Sequence, residues 1–139
     1  MSRYIPTFQQ YAPEPPDIYD LEEMCERSGI LKICLVREHG PGLHLEFSDH
    51  LAFRKAGESD ALVTLRSIRT SSQQGRSFYL VEESDYIRWF VEQGFGTQQA
   101  ESLTHITIVT IDDVIDVIST GLPSLVVPQA NHWQVGNQK

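Results

Sequence analysis

The chain has 139 residues, 40% of them hydrophobic, with 19 acids against 11 bases and a net charge of −8. That length suits one domain of ordinary size, and no run approaches the ~18 apolar residues of a membrane span. The acid excess disfavours whole-surface attraction to nucleic acid or to anionic membrane.

Two cysteines, Cys25 and Cys34, are too few for a disulfide framework. The opening stretch MSRYIPTFQQYAPEPP lacks the apolar core of a signal peptide, so a cytoplasmic location is expected. Charge is unevenly spread. Residues 54–76 carry five bases (Arg54, Lys55, Arg66, Arg69, Arg76) against Glu58 and Asp60, a local balance of +3, whereas residues 14–26 hold six acids and no base.

Residues 1–16 contain four of the seven prolines, which excludes regular helix or sheet interior. Tyr4, Ile5, Phe8 and Tyr11 give this arm apolar surface to bury, and an extended arm lying on the domain is expected ahead of a docking segment that orders on a partner. Asp17 would cap a helix over 18–28, with Ile18, Leu21, Met24 and Cys25 at helical spacing and Gly29 as its stop. From Leu31 the period falls to two. Ile33–Val36 reads as a central strand, Gly40-Pro41-Gly42 as a turn, Leu43–Phe47 as a half-buried strand, and Leu51–Lys55 as the next strand of a meander.

Residues 59–70 fit either a helix or a strand, and the strand is preferred because it would give the preceding strand a neighbour. The run Phe78–Phe95 then reads as a strand followed by an aromatic helix with Ser84 as its N-cap and Gly94 as a left-handed exit. A 28-residue echo lays Ile106–Val109 on Phe78–Val81 and Asp112–Ile115 on Ser84–Ile87, predicting a second strand–helix unit. A short strand over 125–127 and a polar tail over 129–139 complete the chain.

The predicted fold class is α+β: one domain over 17–128, with a mixed β-sheet made of an antiparallel N-terminal meander and two strand–helix units, and about three helices. Strand, helix, strand, helix, strand is the pattern of parallel crossovers.

Four residues, His44, Glu46, Asp49 and His50, cluster within one strand and its turn. Imidazoles with carboxylates could hold zinc or another divalent metal, or serve as a base and its orienting acid. The competing reading is the polar face of an edge hairpin. Register decides which residue opposes His44: Glu38 across a three-residue loop, Arg37 across a four-residue one. Cys34, between Ile33 and Leu35, reads as an inert buried thiol. Ser84 superficially resembles a nucleophile at a strand–helix elbow, but the flanking glycines are absent and capping accounts for it. Arg54, Lys55, Arg66 and Arg69 are candidates for an anion site. Tyr4, Trp89 and Trp133 are candidate partner anchors, since large aromatics dominate binding interfaces.

With no credible catalytic set, the leading expectation is a small acidic protein-binding module without cofactor, an inhibitor or immunity-like neutraliser of a basic partner. Its partner would be another protein, or a second copy, with no membrane and little role for nucleic acid. The alternatives are a metal-dependent hydrolase or ligand sensor built on His44, Glu46, Asp49 and His50, with a divalent metal such as zinc as cofactor, and an anion-binding or nucleic-acid-associated factor using the 54–76 segment.

Overall fold

In the computed structural model, which describes residues 2–14, 17–71 and 77–128, Ser28 and Gly29 sit at φ of 55° and 79°. Two successive left-handed residues make the tight turn whose twist matches a β-hairpin. The segment read as a helix over 18–28 is therefore a strand, β2 (Asp20–Arg27), paired antiparallel with β3 (Ile30–Val36). Its helical spacing has a specific cause. The register shifts between Leu21 and Glu23, so Glu22 is an extra residue, and Leu21 and Met24 both turn to the core although three apart. A bulged strand thereby imitates a helix.

After β3 come β4 (Leu43–Phe47) and β5 (His50–Gly57), a 3-10 turn, and helix α1 (Leu62–Ser71). Residues 59–70, expected as a strand, are thus mainly helical. Thr70 bonds back to the Arg66 and Ser67 carbonyls, and Ile68 is buried against Tyr4, Tyr79 and Val81. Next are β6 (Phe78–Glu82), α2 (Asp85–Gln93), β7 (Thr104–Val109), β8 (Asp113–Ser119) and β9 (Ser124–Val126), while β1 is Arg3–Pro6. The described residues hold two α-helices, not about three.

The second strand–helix unit does not exist. Residues expected to form the last helix are β8, hairpinned to β7 through a turn in which Thr110 and Asp113 exchange hydrogen bonds. Val114, Ile115, Val117 and Ile118 are all β-branched and all buried, because β8 is covered on both faces. With β8 a strand, no parallel crossover remains, and every described strand pair is antiparallel.

The strands form two sheets, ordered β1-β6-β7-β8-β5 and β2-β3-β4-β9. The expected meander stops at β4, since β5 crosses to the other sheet and pairs with β8. Leu31, Ile33, Leu35, Leu43, Leu45 and Phe47 from the smaller sheet meet Phe78, Ile106, Ile108, Ile115 and Val117 from the larger one in the main core. The opposite face of the five-stranded sheet carries the helices: Ile68 of α1 packs on Tyr4, Tyr79 and Val81, and Tyr86 and Ile87 of α2 pack with Leu103 and Ile118. The molecule is a three-layer stack of helices, sheet and sheet. No described helix is long and apolar enough to cross a membrane.

Candidate functional site

Ser84 ends the turn after β6 and caps α2, accepting a hydrogen bond from the Ile87 amide at 3.0 Å. The preceding residue, Glu83, is left-handed (φ 52°), so strand passes to helix through one tight step. The helix does not leave through Gly94, whose φ is −94°; Phe95 and Gly96 take the left-handed positions instead.

The Ser84 hydroxyl also lies 2.7 Å from His105 Nδ1. His105 Nε2 is 2.7 Å from Asp116 Oδ1, and Thr107 donates to the same oxygen at 2.6 Å. Arg54 Nε donates to Asp116 Oδ2 at 2.9 Å, and its guanidinium lies over the Tyr86 ring at 3.9 Å from the centroid. Tyr86 in turn meets the His105 ring edge-on and stacks on Trp89, with ring centroids 5.9 Å apart.

Strand register creates this chain of contacts. Thr107 and Arg54 each stand directly opposite Asp116, and β alternation turns His105 and Thr107 to the face that α2 covers. His105 is 1% and Asp116 3% exposed. Burial alone would push the Asp116 carboxyl up, but the hydrogen bond from His105, the Thr107 hydroxyl and the charge of Arg54 outweigh it. The group is held below the usual carboxylate range and stays ionised. With a neutral ring whose proton sits on Nε2 and is donated to Asp116, Nδ1 accepts from the Ser84 O–H.

Ser84 lines a groove of about 820 Å³ between α2, the end of β6 and the 3-10 turn at Ala100–Ser102. Its floor is apolar, from Val81, Ile87, Val91 and Leu103, and its rim carries Glu82, Glu83, Glu92 and Glu101 with Arg88. Arg88 is paired with Asp85 at 2.6 Å, and Glu82 with Arg3. Glu83, Glu92 and Glu101 are exposed and make no ion pair among the described residues. Trp89, 52% exposed, lies about 100° round the helix from Arg88.

The residues singled out in the sequence scatter. His44 and Glu46 lie on the outer face of the four-stranded sheet, and His44 is opposite Cys34, neither Glu38 nor Arg37, because the loop runs through all of 37–42. Glu46 is opposite Lys32, whose ammonium group opposes a metal at that point. His50 is turned away and pairs with Glu26 across the two sheets, while the Asp49 carbonyl accepts from the Thr120 amide. No group of three His, Cys, Asp or Glu side chains among the described residues is arranged to hold a metal. The anion set does not converge either: Arg54 is committed to Asp116, Lys55 points to the other face of β5 toward Asp113, and Arg66 and Arg69 are on α1.

Tyr4 is 5% exposed and packs edge-on against Tyr79, so it is core rather than a partner anchor. The arm that carries it is edge strand β1, paired with β6. Trp133 and the 129–139 tail lie outside the described residues. Cys34 is buried, and burial raises its thiol pKa.

Sequence reasoning missed His105, Thr107 and Asp116. The available signal was polar residues set at alternate positions inside apolar runs, but it needed β8 to be recognised as a strand. The chain matches no protein-family model, and no curated protein or solved structure is significantly similar to it.

Proposed function

We propose that this chain is a protein-binding module that docks a basic segment of a partner protein along α2, acting as an inhibitor or immunity-like neutraliser. The observation that carries the reading is the groove beside α2, with its apolar floor and three exposed glutamates that make no ion pair among the described residues. Charge of one sign on the rim of a low-dielectric cleft attracts and orients ligands of the other sign. The apolar floor supplies affinity through burial, so the fitting occupant is an amphipathic segment bearing Lys or Arg.

Trp89 adds an anchor on the neighbouring flank of the helix. Stacking on Tyr86, itself clamped by Arg54, holds the indole in one place before anything binds, which lowers the entropy lost on docking. An exposed, preorganised tryptophan is the residue type most enriched among interface hot spots.

A photo-reactive phenylalanine analogue at position 89, introduced in the source cells, tests the reading. It should give one discrete protein adduct whose cross-linked peptide is rich in Lys and Arg, and Glu83→Lys, Glu92→Lys and Glu101→Lys together should reduce its yield at least tenfold. The same adduct from a probe at Glu23, on the far side of the molecule, or indifference to charge reversal, would sink the proposal.

A further inference from the structure

We propose that Ser84 is a nucleophile, with His105 as its base and Asp116 as the group that positions the base, and that the groove hydrolyses acyl esters or thioesters bearing a cationic group. This goes beyond the docking reading; the relay stands on its own geometry, and only the substrate class rests on the same acidic rim.

The geometry is that of a serine relay. A nucleophilic serine needs a base within hydrogen-bond reach and a third group to fix that base. Ser84 Oγ stands 2.7 Å from His105 Nδ1, and His105 Nε2 stands 2.7 Å from Asp116 Oδ1. In the usual serine triads Nε2 faces the hydroxyl. Here the ring is turned, but the roles require only one nitrogen on the hydroxyl and the other on the carboxylate. The placement is equally specific. Ser84 sits on a tight strand–helix step after a left-handed Glu83, and it is the member of the relay that lines the groove. Its bond from the Ile87 amide fixes Oγ in one rotamer, and the N-terminus of the nine-residue α2 favours negative charge developing there.

The step balances within these groups. Oγ adds to the acyl carbonyl as its proton passes to Nδ1. Collapse expels the alcohol or thiol, which takes that proton, and leaves an ester on Ser84. Water then adds to the ester, giving a proton to Nδ1, and that proton returns to Oγ as the carboxylic acid departs. The substrate class follows from the rim. Glu83, Glu92 and Glu101 select a cation on the leaving group or the acyl chain, and Val81, Ile87 and Leu103 accept a short apolar acyl group.

The test separates nucleophilicity from capping. Asparagine caps a helix about as well as serine but cannot attack a carbonyl, so Ser84→Asn should fold and lose the chemistry. Wild-type protein treated with a fluorophosphonate probe should gain one phosphonyl group, mapped to Ser84, and should hydrolyse an acylthiocholine roughly a thousandfold faster than Ser84→Asn. It should also prefer that substrate about tenfold over a neutral thioester of equal size. Asp116→Asn should lower kcat with little change in KM. Absence of the adduct in folded wild-type protein, equal labelling of Ser84→Asn, or equal rates on cationic and neutral esters would each overturn the assignment. Fluorophosphonate labelling of wild-type Ser84 reads the nucleophile alone and cross-linking from position 89 reads docking alone, so either proposal can fail without the other.

Discussion

Replacing Asp116 with alanine removes an acceptor that three donors share at once. Oδ1 takes the His105 ring and the Thr107 hydroxyl, and Oδ2 takes Arg54. The Arg54 contribution is small, because its side chain is 51% exposed and can turn to water. His105 and Thr107 have no such escape: both are essentially inaccessible, and a buried donor left without an acceptor costs about 1–3 kcal/mol. The expected loss is therefore about 3–5 kcal/mol, in the range for breaking a buried charge network by deleting one partner. Asp116→Asn should lose only about 1–2 kcal/mol, because its side-chain oxygen still accepts from His105 and Thr107. Urea unfolding at pH 7 measures both values, with an unchanged m-value as the check that the folded state is comparable. A loss below 1 kcal/mol for Asp116→Ala would refute the claim that these bonds organise the layer between sheet and helix.

Further predictions follow from the same structure. The Asp116 carboxyl lies below its usual range when folded, so its contribution is fully present above the unfolded value of about 3.9 and is lost as pH falls through the lower folded value; an acid-unfolding series should show a steeper fall below pH 4 in wild type than in Asp116→Asn. Gly42→Ala would place a Cβ 2.2 Å from the Leu35 carbonyl oxygen, backbone that cannot swing aside, and should cost about 1–3 kcal/mol or more in urea unfolding. At Gly29 the space is open and only the left-handed φ of 79° matters, so Gly29→Ala should lose about 1 kcal/mol and no more. Under a thiol reagent at pH 8, half-exposed Cys25 should react well ahead of Cys34, whose thiol is buried and raised in pKa; equal rates would contradict the packing of the four-stranded sheet.

Much of the architecture could be read from residue order, and the two false helices share one physical origin. Ser84 as the cap of α2, the Gly40-Pro41-Gly42 loop and the alternation of Leu43, Leu45 and Phe47 are local effects, and local chemistry decides them. Both false helices were strands whose apolar residues fell at spacings of three and four for non-helical reasons. In β2 a bulge at Glu22 moved Met24 onto the face of Leu21, and in β8 burial on both sides removed the alternation altogether. The candidate site was hidden by the second of these. Asp116, read on a helix, looked like solvent-facing charge; paired with Thr107 on a strand, it becomes the centre of a buried network. Conversely, His44, Glu46, Asp49 and His50 are close in sequence, yet the chain crosses from one sheet to the other between Phe47 and His50 and separates them.

An amide NMR titration with an amphipathic Lys/Arg peptide at low salt shows whether the groove along α2 receives a basic segment. Shifts should be confined to residues 82–95 and 100–103, weaken as salt rises and vanish with Glu83→Lys, Glu92→Lys and Glu101→Lys together. Shifts spread over the outer face of the four-stranded sheet, or none at millimolar peptide, would contradict docking in the groove.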